Sequence, residues 1–236
     1  SIYIALSRQT MLFRDMEMTA NNLANVATPG YQAEKLSFNS YLVKDVNQQK
    51  DAYAYDAASY RDTRNGAFKA TENPFDLAIR GNAYFQVQTP LGVRYTRAGN
   101  FQINEQGTVT TIDGYPVLGA DGGEVTIPAT AKNVVINGAG QVSVDGEDAG
   151  QIGVMEFQNE QALRQVGNMF FTAEETPQPS DTARVVQGAL EMSNVSGVSE
   201  LTRVMELSRS VASTAKFIET MYDLQRKVSS VYSKQA

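Results

Sequence analysis

The chain contains no cysteine, no histidine and no tryptophan. Without a thiol or an imidazole it cannot build a thiolate nucleophile, a Ser-His-Asp arrangement or a metal centre of Cys or His ligands. The lack of cysteine also makes the fold indifferent to the redox state of its compartment. No apolar run approaches the ~18 residues that a transmembrane helix needs, so no membrane insertion is expected. The N-terminus shows no basic segment followed by an apolar one, the mark of a cleavable secretion signal. Paired carboxylates remain the one common catalytic option. The acidic group Asp145, Glu147 and Asp148 sits in a glycine-rich stretch and reads as a solvated turn, so no catalytic residue, cofactor or metal ligand is assigned.

Charge is spread unevenly along the 236 residues, whose formal net charge is −6. Residues 1–36 carry three basic and three acidic side chains, residues 190–236 carry six and five, and the middle carries eleven basic against eighteen acidic. No basic stripe is present to displace counterions from phosphate, which excludes nucleic acid as a partner. The near-neutral ends suit close packing of many copies, since helices of high like charge repel when bundled.

Glycine divides the chain in the same way. Of 18 glycines only Gly30 falls in residues 1–36 and only Gly197 in residues 190–236. At the N-terminal end Ile2, Leu6, Gln9, Phe13, Met16, Ala20 and Leu23 alternate steps of four and three, the seam of a heptad helix running to about Val26. Thr28-Pro29-Gly30 supplies its stop, because proline disfavours helix in the residue before it and glycine permits the turn after it. At the other end Val204, Leu207, Val211, Thr214, Ile218, Met221, Gln225, Val228 and Tyr232 hold the same spacing within a proline-free helix expected over Val198 to Ser233. Each helix alone would be marginal in water.

Residues 37–66 are polar, tyrosine-bearing and without strong period, and read as an extended connector that orders against a partner. From Asn73 the pattern becomes that of short strands. Leu77 and Ile79, Phe85 and Val87, Val93 and Tyr95, and Phe101 and Ile103 alternate with polar residues between glycine, proline and asparagine breaks. Asn137-Gly138 and Asp145-Gly146 flank Val142–Val144 and read as hairpin turns with positive φ. A short helix is expected over Glu160 to Val166. Tyr84 and Phe85 read as core aromatics. The fold class is therefore α+β, with 1–36 and 187–236 helical and a central, mostly antiparallel β domain over 67–186.

Three blocks then carry a resemblance. Ala20-Asn21-Asn22-Leu23-Ala24-Asn25-Val26-Ala27-Thr28-Pro29-Gly30-Tyr31 is similar to the N-terminal signature of the bacterial flagellar rod and hook family. Asn73-Pro74-Phe75-Asp76-Leu77-Ala78-Ile79-Arg80-Gly81-Asn82-Ala83-Tyr84-Phe85-Gln86-Val87 and Tyr95-Thr96-Arg97-Ala98-Gly99-Asn100-Phe101 resemble blocks of its β domain, with Arg80 and Ala83 departing from the Asp or Asn and the Gly more usual there. Gln187-Gly188-Ala189-Leu190-Glu191-Met192-Ser193-Asn194-Val195 resembles the segment before the family's C-terminal helix.

The resemblance implies a non-enzymatic axial subunit, exported through the flagellar type III apparatus without a cleavable signal. Its terminal helices would pair as a coiled-coil-like inner domain and its β domain would face outward, in a rod that crosses the periplasm. Partners would be copies of itself and other rod proteins. The opening Ile2-Tyr3-Ile4-Ala5-Leu6-Ser7 favours a proximal-rod position, with a distal-rod or hook-type member as the alternative. The expected assembly interface comprises Leu6, Phe13, Met16, Ala20 and Leu23 with Asn21, Asn22 and Asn25, and on the last helix Val204, Leu207, Val211, Ile218, Met221 and Val228. By pattern alone the same helices could form an intramolecular hairpin or a dimer, and the asparagines could be ordinary polar-face residues. A cell-wall glycan-binding or glycan-hydrolysing protein is the remote alternative, and it would need convergent acids or exposed aromatics.

Overall fold

The computed structural model describes residues 2–44, 50–128, 130–167 and 169–233, with side-chain surroundings over 4–37, 58–128, 130–167 and 169–227. Helix α1 spans Ile2–Ala24 and helix α2 spans Gly197–Ser233, neither interrupted by proline. Two compact units divide the chain: Ser1–Ala24 with Glu34–Tyr60 and Ser196–Ala236, and Asn25–Ala33 with Arg61–Val195.

In the first unit α1 and α2 pack against each other. Asp15 meets Arg203, while Ile4 and Arg8 lie beside Arg209 and Phe217, so the helices run antiparallel. Helix α1 stops two residues short of the expected Val26, because Asn25 is drawn into a turn in which its carbonyl accepts from the Thr28 N–H at 3.1 Å. The segment 37–66, expected as an extended connector, contains most of strand β1 (Glu34–Lys44) and all of β2 (Lys50–Arg61), which pair as a two-stranded sheet. Its tyrosines, Phe38 and Val43 favour extended pairing even where alternation is weak. The residues between the two strands, 45–49, lie outside the described set.

The second unit is built from short antiparallel strands. They begin with β3 (Phe68–Ala70), β4 (Leu77–Arg80), β5 (Tyr84–Thr89) and β6 (Gly92–Thr96). Strands β5 and β6 form a tight hairpin, with Thr89 opposite Gly92. They are the middle of a six-stranded sheet flanked by Phe170–Thr172 and Arg164–Val166 on one side and by Val154–Glu156 and Gln178–Pro179 on the other.

Successive residues of a strand point to opposite faces, and both faces of β5 are covered. Phe85 and Val87 enter a large aliphatic core with Leu77, Ile79, Ile127 and Ile152, while Tyr84 enters an aromatic cluster with Tyr95, Phe157 and Phe171. The rings of that cluster meet edge to face at centroid separations of 4.8–5.8 Å, the arrangement their quadrupoles prefer. Tyr84 and Phe85 are fully buried, as expected of core aromatics.

Local turn chemistry is partly as expected. Asp145 and Gly146 both take positive φ, 51° and 94°, and join Gln141–Val144 to Glu147–Gln151 as a two-residue hairpin. Asn137-Gly138 does not form such a turn. Here the positive φ falls on Gly140, and the Asn137 carboxamide accepts from the N–H groups of Ala139 and Gln141, which rounds a longer loop. The helix expected over Glu160–Val166 is a single 3₁₀ turn at Glu160–Ala162, capped by the Asn159 side chain, followed by the strand Arg164–Val166. Pairing of that strand with Phe170–Thr172 claims backbone groups that a helix would need.

Candidate assembly interface

On α2 the heptad residues lie where their spacing puts them. Leu207, Thr214 and Ile218 are buried, and Val204, Val211 and Met221 are half-buried. The side chain of Val228 lies outside the described set. On α1 the seam is displaced by one residue. Ala5, Asp15, Thr19 and Asn22 are buried and Leu12 is half-buried, whereas Leu6 and Phe13 are 40% and 46% exposed and Ala20 is exposed. Met16 and Leu23 are half-buried.

The physical reason is a choice between two adjacent stripes on one helix. The buried stripe of α1 holds the small residues Ala5 and Thr19, and Leu207 and Ile218 are buried on α2. The one charge in the stripe is compensated, because Arg203 donates two hydrogen bonds to the Asp15 carboxylate at 2.9 and 3.1 Å. Thr19 satisfies its hydroxyl on the Asp15 carbonyl at 2.7 Å. The large apolar stripe of α1 is thereby turned away from its own partner helix.

The three asparagines divide. Asn21 is exposed on α1. Asn22 is buried and clamps the first residue of β1 from both sides: its amide donates to the Glu34 carbonyl at 2.8 Å and its oxygen accepts from the Glu34 N–H at 3.0 Å. Asn25 is buried in the second unit, where its side-chain oxygen accepts from the Thr28 hydroxyl. The amides of Asn22 and Asn25 therefore serve their own chain. Each would be costly if left unsatisfied in these positions.

The signature blocks converge inside the second unit, and sequence reasoning did not foresee how. Gly30 holds φ at +70°, and a Cβ there would lie 2.3 Å from the Ala98 nitrogen. Its N–H donates to the Glu191 carbonyl at 2.8 Å. The Glu191 carboxylate is buried against Arg97, which donates to it from Nε and Nη2 at 2.9 and 2.6 Å. The remaining three N–H groups of Arg97 go to the carbonyls of Ile79, Gly81 and Ala83, so all five donors are used. The Gly66 N–H completes the carboxylate. Burial pushes the Glu191 carboxyl above its ordinary value, against the pull of Arg97. Asn194 accepts from the Ala33 N–H and donates to the carbonyls of Asp62 and Arg64. Residues 25–33 and 187–195, which the sequence pattern groups with the helices, are held in the β unit by these bonds.

The departures from the family pattern fit their places. Arg80 lies over the Phe68 ring at 5.6 Å. Ala83 is fully buried and lends its carbonyl to Arg97. The acidic group Asp145, Glu147 and Asp148 is turn chemistry. Asp145 accepts from the N–H groups of Lys132 and Asn133. Asp148 accepts from Gly150 and Gln141, which hold its carboxyl below the usual range. Among the described residues no cluster of acids could hold a metal ion, and no helix is long and apolar enough to cross a membrane.

The helical unit thus carries an exposed apolar face on α1, and the β unit is closed by the segments that resemble rod-family signatures. Three family models match in chain order: "Flagella basal body rod protein" over residues 2–32, "Flagellar hook protein FlgE/F/G D1 domain" over 78–144, and "Flagellar basal body rod FlgEFG protein C-terminal" over 186–231. The flagellar basal-body rod protein FlgF of Caulobacter vibrioides is 33% identical over 232 residues, covering 96% of this chain and 95% of that protein. FlgF of Mesorhizobium japonicum is 33% identical over 219 residues, covering 91% and 90%. The rod protein FlgG of Bacillus subtilis is 32% identical over 256 aligned positions, covering 97% of each. The chain belongs to the flagellar basal-body rod protein family.

Proposed function

We propose that this chain is a structural, non-catalytic subunit of the proximal part of the flagellar rod. It builds an axial tube by packing α1 and α2 against copies of itself and neighbouring rod proteins. The single observation that carries the reading is the outward apolar stripe of α1, with Leu6 and Phe13 exposed beside a seam already filled by smaller residues. Such a stripe has no use in the paired helices themselves and supplies a surface for a neighbour. Residues Met16, Ala20, Asn21 and Leu23 on α1 and Val204, Val211 and Met221 on α2 extend that surface. Asn22 supports it by holding β1 to α1, and Leu207 and Ile218 join the two helices. The pairing of α1 with α2 is read as the coiled-coil-like inner domain of the rod, with 67–186 facing outward.

The proximal position is favoured by length. The FlgG alignment needs 256 positions against the 236 residues of this chain, whereas the first FlgF alignment needs 232. On this reading the protein reaches the periplasm through the flagellar type III apparatus. The test is purification of hook–basal bodies from cells making a tagged chain and from cells lacking it. Recovery of the tagged chain in the rod, with no swimming in its absence, is expected. Normal swimming without the chain, or basal bodies that do not contain it, would overturn the proposal.

A further inference from the structure

Between the N-terminal turns of α1 and the middle of α2 lies an open groove of about 590 Å³. Ile4, Ala5 and Phe217 give it apolar walls, and Ser213 lines it as well. Arg8 and Arg209 also line it, one from each helix; both are exposed, and neither makes an ion pair among the described residues.

A second surface on the same unit has the opposite character. Val198, Leu201 and Met205, spaced by three and four residues on α2, form one apolar strip, and Val198 is 80% exposed. Glu200 and Glu206 flank that strip, again with no ion pair among the described residues.

We propose that the strip Val198–Glu206 of one copy docks into the Ile4–Phe217 groove of a second copy. This rests on the reading of the chain as a rod subunit and specifies one of its contacts. Apolar side chains meet an apolar wall, and two uncompensated acids meet uncompensated bases. The two surfaces differ, so the contact is heterologous, and unless rotation closes it into a ring it repeats from copy to copy. Helices of copies related along an axis run in the same direction. Matching the centre of the strip to the centre of the groove sets the two α2 helices about 16 Å apart along that axis, at ~1.5 Å per residue. In that register Glu200 falls level with Arg209 and Arg8 of the neighbour, and Glu206 falls level with its exposed Lys216.

The absence of cysteine makes the register directly testable. Cells carry two versions of the full chain, Leu201→Cys and Ser213→Cys, and isolated basal bodies are treated with a short bismaleimide. A crosslinked pair is expected only where both versions are present. It should be lost when Arg209→Glu is added to the Ser213→Cys chain and regained when Glu200→Arg is added to the other. Basal bodies that contain both versions and yield no crosslink would overturn this contact while leaving the rod reading intact. A crosslink formed by Leu201→Cys alone would reveal a two-fold contact and overturn it as well. Absence of the wild-type chain from basal bodies would overturn the rod reading itself.

Discussion

The N–H of Gly30 donates to the carbonyl of Glu191 at 2.8 Å, joining the turn after the first helix to the strand that precedes the second. Both residues lie in segments whose sequences resemble family signatures, and the bond shows what those segments do physically. They close the β unit from its two ends.

Gly30→Val should therefore unfold that closure. The added side chain meets the Ala98 backbone and must adopt a positive φ that a β-branched residue resists. A loss of more than ~2 kcal/mol is expected from the combined strain and clash. Urea unfolding of the full chain, followed by tyrosine fluorescence of the β unit, measures it; a wild-type midpoint would contradict the account.

Removing one half of the buried pair is expected to cost more than removing both. Arg97→Met leaves Glu191 without its partner and three carbonyls without donors, a loss of ~3–5 kcal/mol. The double variant Arg97→Met with Glu191→Leu should recover part of that loss, since well-packed apolar residues can replace a buried ion pair. If the double variant is as unstable as the sum of the two singles, the pair is not coupled as its geometry requires.

The same carboxyl gives a pH dependence with a definite sign. Because the folded-state value of Glu191 lies above its ordinary 4.5, the folded chain holds a proton that the unfolded chain has released. That contribution to stability is complete below 4.5 and is lost as pH rises through the raised value. Glu191→Gln no longer titrates. The difference in stability between wild type and this variant should change across that window and be flat above it. A difference that stays constant as pH rises from below 4.5 into the neutral range would refute the assignment.

Two substitutions separate the surfaces of the helical unit. Ile218→Asp places a carboxylate in the α1–α2 seam, where an unpaired charge costs several kcal/mol or forces protonation. Helical circular dichroism should fall while the β unit, built without this helix, still unfolds at its wild-type midpoint. Phe13→Asp alters an exposed position and should leave the isolated chain's helicity and stability within ~0.5 kcal/mol of wild type, yet abolish swimming. Full motility with Phe13→Asp would mean that the outward stripe of α1 is not an assembly surface.

Much of this was legible in the sequence because periodicity reports directly on burial. The strands at Leu77, Phe85, Val93 and Phe101 and the α2 seam through Leu207 and Ile218 follow from spacing alone. On α1 the residues that face α2 lie one position away from the heptad stripe. Spacing favours the bulkier stripe of Leu6 and Phe13, whereas the buried stripe holds Ala5 and Thr19 together with Asp15, whose charge Arg203 compensates. The Arg97–Glu191 pair was hidden for a related reason. Charged residues read as surface unless their partners are known, and these partners are far apart in the chain.

That separation governs how the protein can fold. Asn194 binds the Ala33 N–H across 161 residues and the Asp62 carbonyl across 132. Contacts so distant must overcome loop-closure entropy before they return any stabilisation, which places the β unit among slow folders rather than those that finish in microseconds. A chain emerging into free solution from its N-terminus would hold its early hairpins as separate, short-lived pieces. Arg97 would keep water on its guanidinium until Glu191 arrived, so the unit has no finished state for any length of chain that stops before the last fifth of the molecule.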